Sequence, residues 1–136
     1  SPESIYDVES DIFSPCALGG VLNSTTIPRL TCRVVAGGAN NQLLDGSHGD
    51  ELHRRGILYA PDYVINAGGI INVEAEIGSN YNPERARERT ERIYGIMERV
   101  IRLAKTEEMP TYRAADQLAE QRLSSVQNIK QIYRSA

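Results

Sequence analysis

The chain has 136 residues, 40% hydrophobic and 24% charged, a composition that fits one globular domain and leaves no room for a second full one. Such a length buries roughly 68% of the surface its unfolded form exposes, enough for a core without disulfides or a structural metal. Fifteen basic against eighteen acidic residues leave a net charge of -3, which argues against a nucleic-acid partner because phosphate neutralisation needs a basic excess.

The polar start from Ser1 to Ser10 carries no cationic-then-apolar leader, and no apolar run approaches the roughly 20 residues that span a bilayer. A cytoplasmic protein with no membrane partner is expected. Cys16 and Cys32 are too few for a disulfide framework and have no histidines at metal-ligand spacing, so both are expected to be buried small hydrophobes.

In chain order, three short apolar segments can be strands: Asp11 to Cys16, Cys32 to Ala36, and Ile57 to Val64 with Pro61 inside it. Each is followed by a glycine pair (Gly19-Gly20, Gly37-Gly38, Gly68-Gly69) that opens into a stretch able to form helix. Repeated strand, glycine turn and helix predict an α/β fold with a parallel sheet whose crossovers are right-handed. The second connection carries a short helix from about Gly49 to Arg55, stopped by Gly56. Three parallel strands leave an open edge, so the first strand expects a further neighbour.

Composition divides the chain near residue 81, giving a sheet-forming part, 1–81, and a helical part, 82–136. Asn82 can cap a helix with Pro83 in its first turn, and Ala86, Ile93, Met97, Val100, Ile101 and Ala104 then recur at helical spacing. Thirteen of the 25 residues from Glu84 to Glu108 are charged and form the solvated face, with Glu88–Arg92 and Glu98–Arg102 placed for i,i+4 pairs. Pro110 ends this helix. Thr111 can cap another, whose stripe runs through Ala115, Leu118, Ala119, Leu123, Val126 and Ile129.

The familiar catalytic signatures are missing: there is no G-x-G-x-x-G, no phosphate loop and no G-x-S-x-G elbow. His48 and His53, five apart, point about 140° apart on a helix and do not converge on a metal. What stands out is asparagine beside glycine at strand ends: Asn40 and Asn41 after Gly37-Gly38, and Asn66 before Gly68-Gly69. Open parallel sheets bind ligands at the carboxyl ends of their strands, where glycine lets the backbone approach. An uncharged group that donates and accepts suits a carboxamide or carboxylate there. Helix capping is the other reading of Asn40 and Asn41.

Asp11-Ile12-Phe13-Ser14-Pro15-Cys16-Ala17-Leu18-Gly19-Gly20, Ala36-Gly37-Gly38-Ala39-Asn40-Asn41-Gln42-Leu43, and Tyr59-Ala60-Pro61-Asp62-Tyr63-Val64-Ile65-Asn66-Ala67-Gly68-Gly69-Ile70-Ile71-Asn72-Val73 together resemble the carboxy-terminal part of the Glu/Leu/Phe/Val amino acid dehydrogenase family, in its leucine, phenylalanine and tryptophan branch. The resemblance implies reversible oxidative deamination of an L-amino acid to a 2-oxo acid and ammonia with NAD as hydride acceptor. It further implies the second half of a Rossmann domain followed by terminal helices, an amino-terminal substrate domain as the missing partner, and a homo-oligomer.

By resemblance, Ala17 lies near the nicotinamide ribose and Asn66 faces the nicotinamide carboxamide; Cys16, Ala39 and Asn40 belong to the same cofactor side. Asn41 matches the asparagine that binds the substrate carboxylate, and Asn40 stands where leucine-type enzymes often have Asp. Ile70 and Val73 match the apolar wall that receives the substrate side chain. Such a wall disfavours a charged substrate such as glutamate by several kcal/mol. The family's pyrophosphate fingerprint, ribose-binding acid, catalytic lysines and catalytic aspartate lie upstream of anything here, so no residue is assigned as a general base, and the chain alone is expected to be inactive. The rival expectation is a non-catalytic nucleotide-binding or oligomerisation module descended from such an enzyme.

Overall fold

Three short strands pair side by side in parallel, β1 (Ile12–Phe13), β2 (Val34–Val35) and β3 (Leu58–Tyr59), in the order β1-β2-β3 with Ile12 opposite Val34 and Val34 opposite Leu58. This computed structural model describes residues 2–77 and 81–134, with side-chain surroundings for residues 3–77 and 81–127. The helices are α1 (Gly46–Arg54), α2 (Asp62–Ile65), α3 (Gly68–Glu76), α4 (Pro83–Thr106) and α5 (Thr111–Arg134), with 3-10 turns at Pro2–Asp7 and Ile27–Arg29.

The expected parallel α/β arrangement is present, but the strands are shorter than the apolar runs. The third run ends as strand at Tyr59 because Pro61 has no N–H for the ladder, and Asp62–Ile65 turns into α2 instead. The first glycine pair opens no α-helix. Asn23 Oδ1 accepts from the backbone N–H groups of Thr25 (2.9 Å) and Thr26 (3.1 Å), and Asn23 Nδ2 donates to the Gly20 carbonyl (2.9 Å), so the segment closes on itself as a turn.

α1 begins three residues earlier than expected because Asp45 is its cap, its carboxylate accepting from Ser47 N at 2.8 Å. Asn40 and Asn41 therefore do not cap it. Its glycines have a packing reason: a Cβ on Gly49 would lie 2.6 Å from the Tyr112 ring of α5. Gly56 stops the helix at φ 70°, as expected.

Leu22, Ile27, Val35, Leu52 and Tyr59 fill the core beside the sheet. Val100, Ala104, Ala114 and Ala115 form a second cluster where α4 meets α5, with Val64 of α2 packed on it. Of the α4 stripe, Ala86, Val100 and Ala104 are buried and Ile93, Met97 and Ile101 half-buried. Asn82 caps α4 through Arg85 N (2.9 Å), and Glu98 pairs with Arg102 at 3.2 Å. Arg87 pairs with Glu91, whereas the expected Glu88–Arg92 pair does not close.

Two expectations for α5 change. The Thr111 hydroxyl does not cap it but donates to the Tyr59 carbonyl (2.5 Å), tying the helix to β3. Its stripe divides, since Ala115 is buried and Leu118 half-buried while Ala119, Leu123 and Val126 are exposed; the Ile129 side chain lies outside the described ones.

Glu108 sits at φ 50° just past α4, in the position that glycine favours, with Met109 N closing on the Ala104 carbonyl at 2.9 Å. Glu108→Gly is expected to stabilise the chain by about 1 kcal/mol by relieving the left-handed conformation. Urea titration of the two proteins reads this as a higher midpoint at unchanged slope.

Candidate functional site at the strand carboxyl ends

Parallel strands bring all three carboxyl ends to one side of the sheet. β1 runs into Pro15, Cys16 and Ala17, β2 into the loop from Ala36 to Gln42, and β3 through Pro61 and α2 to Asn66. The first two ends are stitched together directly. Ala39 N donates to the Pro15 carbonyl at 3.0 Å, and Gly38 N donates to Cys16 Sγ at 3.4 Å. Gly37 is needed for this approach, since a Cβ there would lie 2.1 Å from the Pro15 carbonyl oxygen.

Asn66 joins the third end to the second. Its Nδ2 donates to the Gly38 carbonyl and to Asn40 Oδ1, both at 2.7 Å. Both Nδ2 hydrogens are thereby committed, and Asn66 Oδ1 remains as an acceptor. Asn40 is complementary: its Oδ1 is occupied, and its Nδ2 remains as a donor. Among the described residues neither remaining atom has a protein partner.

Cys16, Ala39, Asn40 and Asn66 lie together at this mouth, with Ala17 exposed beside Cys16. Asn41 adjoins them at φ 53°, its carbonyl accepting from Gly20 N at 2.7 Å. Ile70 and Val73 lie one turn apart on α3, 71% and 55% exposed, and form no part of the asparagine cluster.

Cys16 corrects an expectation: it is exposed, and only Cys32 is buried. Its strand ends before reaching it, so the thiol emerges at the strand mouth. The Ser14 hydroxyl, 3.4 Å away, and the Gly38 N–H stabilise the thiolate and hold its pKa below the usual thiol range. Alkylation of Cys16 is expected to rise through a midpoint below that of a free thiol, and Ser14→Ala to move the midpoint upward. Iodoacetamide labelling against pH, read by mass spectrometry, checks both.

Two residues beneath the cluster were not singled out from the sequence. Gln42 is fully buried, its Nε2 donating to the carbonyls of Gly37 (2.6 Å) and Ala39 (2.9 Å). Asp62, 6% exposed, accepts from Gln42 N and Tyr63 N, each at 2.8 Å. An acid within the apolar run Ile57 to Val64 was the available signal, obscured by reading that run as one strand. Among the described residues no set of three or more His, Cys, Asp or Glu is placed to hold a metal, and no helix is long and apolar enough to cross a membrane.

The family profile described as Glutamate/Leucine/Phenylalanine/Valine dehydrogenase matches residues 1–130. Leucine dehydrogenase of Geobacillus stearothermophilus is 53% identical over 129 residues, which cover 95% of this chain and 35% of that protein. Phenylalanine dehydrogenase of Bacillus thermotolerans is 48% identical over 120 residues, covering 88% of this chain and 31% of that one. The crystal structure of L-tryptophan dehydrogenase from Nostoc punctiforme superposes with a TM-score of 0.88 at 47% identity, over 93% of this chain and 38% of its own. The chain spans about a third of the length of the curated relatives it matches. With its three strand-end motifs gathered at one mouth and a family match over nearly every residue, the chain belongs to the Glutamate/Leucine/Phenylalanine/Valine dehydrogenase family.

Proposed function

We propose that this chain is the carboxy-terminal portion of an NAD-dependent L-amino acid dehydrogenase, supplying nicotinamide and substrate contacts to an enzyme whose catalytic lysines and aspartate lie elsewhere. In this reading residues 1–81 are the second half of a Rossmann domain and residues 82–136 its terminal helices. The enzyme acts in the cytoplasm as a homo-oligomer on an apolar branched or aromatic amino acid.

The observation that carries the reading is the asparagine pair. A primary carboxamide offers an N–H donor and a carbonyl acceptor side by side, and Asn66 Oδ1 with Asn40 Nδ2 offers the converse. The residues present therefore fit a nicotinamide, which when bound accepts the hydride. Asn66 and Asn40 hold its carboxamide and so fix which ring face meets the substrate. Cys16 and Ala17 border the adjoining ribose. Asn41 holds the substrate carboxylate, and Ile70 and Val73 offer an apolar surface to its side chain. None of these side chains is a base for the amino group, in keeping with a chain that binds and orients.

Two measurements test this. Nicotinamide mononucleotide at millimolar concentration is expected to slow alkylation of Cys16, and unchanged labelling would count against the cofactor site. The purified chain with NAD and a panel of branched and aromatic amino acids is expected to form no NADH; turnover would show that the catalytic groups are here after all.

A further inference from the structure

We propose that Asp62 is the positioning residue for the asparagine pair, a step that rests on the cofactor reading of that pair. Asp62 is the first residue of α2, after the cap position Pro61, and its Oδ1 accepts from the next backbone N–H, that of Tyr63, at 2.8 Å. Oδ2 does something else. It reaches a residue 20 positions earlier and accepts from the buried Gln42 N at 2.8 Å.

Gln42 follows Asn40 and Asn41 directly and controls their loop from inside. Its side chain grips the carbonyls of Gly37 and Ala39, and its own carbonyl accepts from Leu22 N at 2.9 Å. Fixing Gln42 N therefore fixes where Asn40 stands. At the other end of α2, the Asp62 carbonyl accepts from Asn66 N at 2.8 Å. One residue thus holds both partners, Asn66 through its main chain and Asn40 through its side chain and Gln42. The bond from Asn66 Nδ2 to Asn40 Oδ1 closes the ring.

A carboxylate is required because its two oxygens each meet an N–H donor, that of buried Gln42 and that of Tyr63. An asparagine at this position has one acceptor for two donors, and its amide hydrogens face one of them. A serine keeps a short acceptor beside Tyr63 N but does not reach Gln42. Both substitutions preserve the helix start while cutting the tie to the loop.

The test uses the 15N-labelled chain with Asp62→Asn and Asp62→Ser, and with Val100→Ala in the α4–α5 cluster as a control for general loss of stability. Without ligand, side-chain amide exchange at Asn66, whose Nδ2 hydrogens are both bonded, is expected to accelerate at least tenfold in both Asp62 variants and to stay unchanged in the control. Nicotinamide mononucleotide affinity is expected to fall about tenfold in the same two variants. Unchanged exchange in whichever Asp62 variant folds overturns the proposal, as does faster exchange with undiminished affinity. A chain with native Asp62 that ignores the nucleotide while its variants loosen the pair would instead overturn the cofactor reading, so the two failures are told apart.

Discussion

Gly37→Ala is expected to abolish the strand-end site and to cost at least about 3 kcal/mol of stability. The added carbon would meet three backbone atoms of Pro15, the nearest at 2.1 Å, and backbone cannot rotate away as a side chain can. Relief requires separating the ends of β1 and β2, which breaks the Ala39–Pro15 hydrogen bond and withdraws Gly38 N from Cys16. Gly38→Ala is the informative control. Its Cβ meets only Cys16 Sγ, at 3.8 Å, an ordinary contact. Urea unfolding of both variants should show a large loss for Gly37 and a small one for Gly38; equal losses would mean that the close approach at Pro15 is not what the first glycine serves.

Asn66→Asp should weaken nicotinamide mononucleotide binding by roughly a hundredfold, about 3 kcal/mol, with little change in folding. The native amide donates to two oxygens, the Gly38 carbonyl and Asn40 Oδ1. A carboxylate replaces both donations with repulsion, so the side chain swings out and Asn40 loses its fixed orientation. Thermal unfolding should move little because Asn66 ends a four-residue helix rather than filling either core. Calorimetric titration with the mononucleotide, beside a melting curve, separates the two effects. Undiminished affinity would remove Asn66 from the cofactor site.

Much of this was legible in the sequence where local chemistry and tertiary context agree. Gly56, Asn82 and Pro83 mark helix ends through their own backbone preferences, and each does so in the structure. The α4 stripe reads correctly because its periodicity is sustained over several turns. Errors arose where one short run held two meanings. Ile57 to Val64 reads as a strand until Pro61 is given its full weight, and Thr111 reads as a cap because a β3 carbonyl 52 residues away is invisible locally. Asp45, not Asn40 or Asn41, starts α1, and that frees the asparagines for the strand mouth.

The candidate site was legible at one level only. Glycines and asparagines at strand ends pointed to the mouth where the three ends meet. The buried layer below, Gln42 and Asp62, was missed because its importance lies in hydrogen bonds spanning 20 residues. Leu123 and Val126 follow the same logic: spacing places them on one face of α5 and says nothing of what covers it, and both are exposed.

The most direct test of the central claim is to exchange this chain for the matching third of Geobacillus stearothermophilus leucine dehydrogenase and to follow NADH formation with branched and aromatic amino acids. A folded chimera should form NADH with at least one of them, lose that activity with Asn66→Asp, and show none from the chain by itself. A chimera that folds and assembles yet forms no NADH with any of these substrates would contradict the assignment.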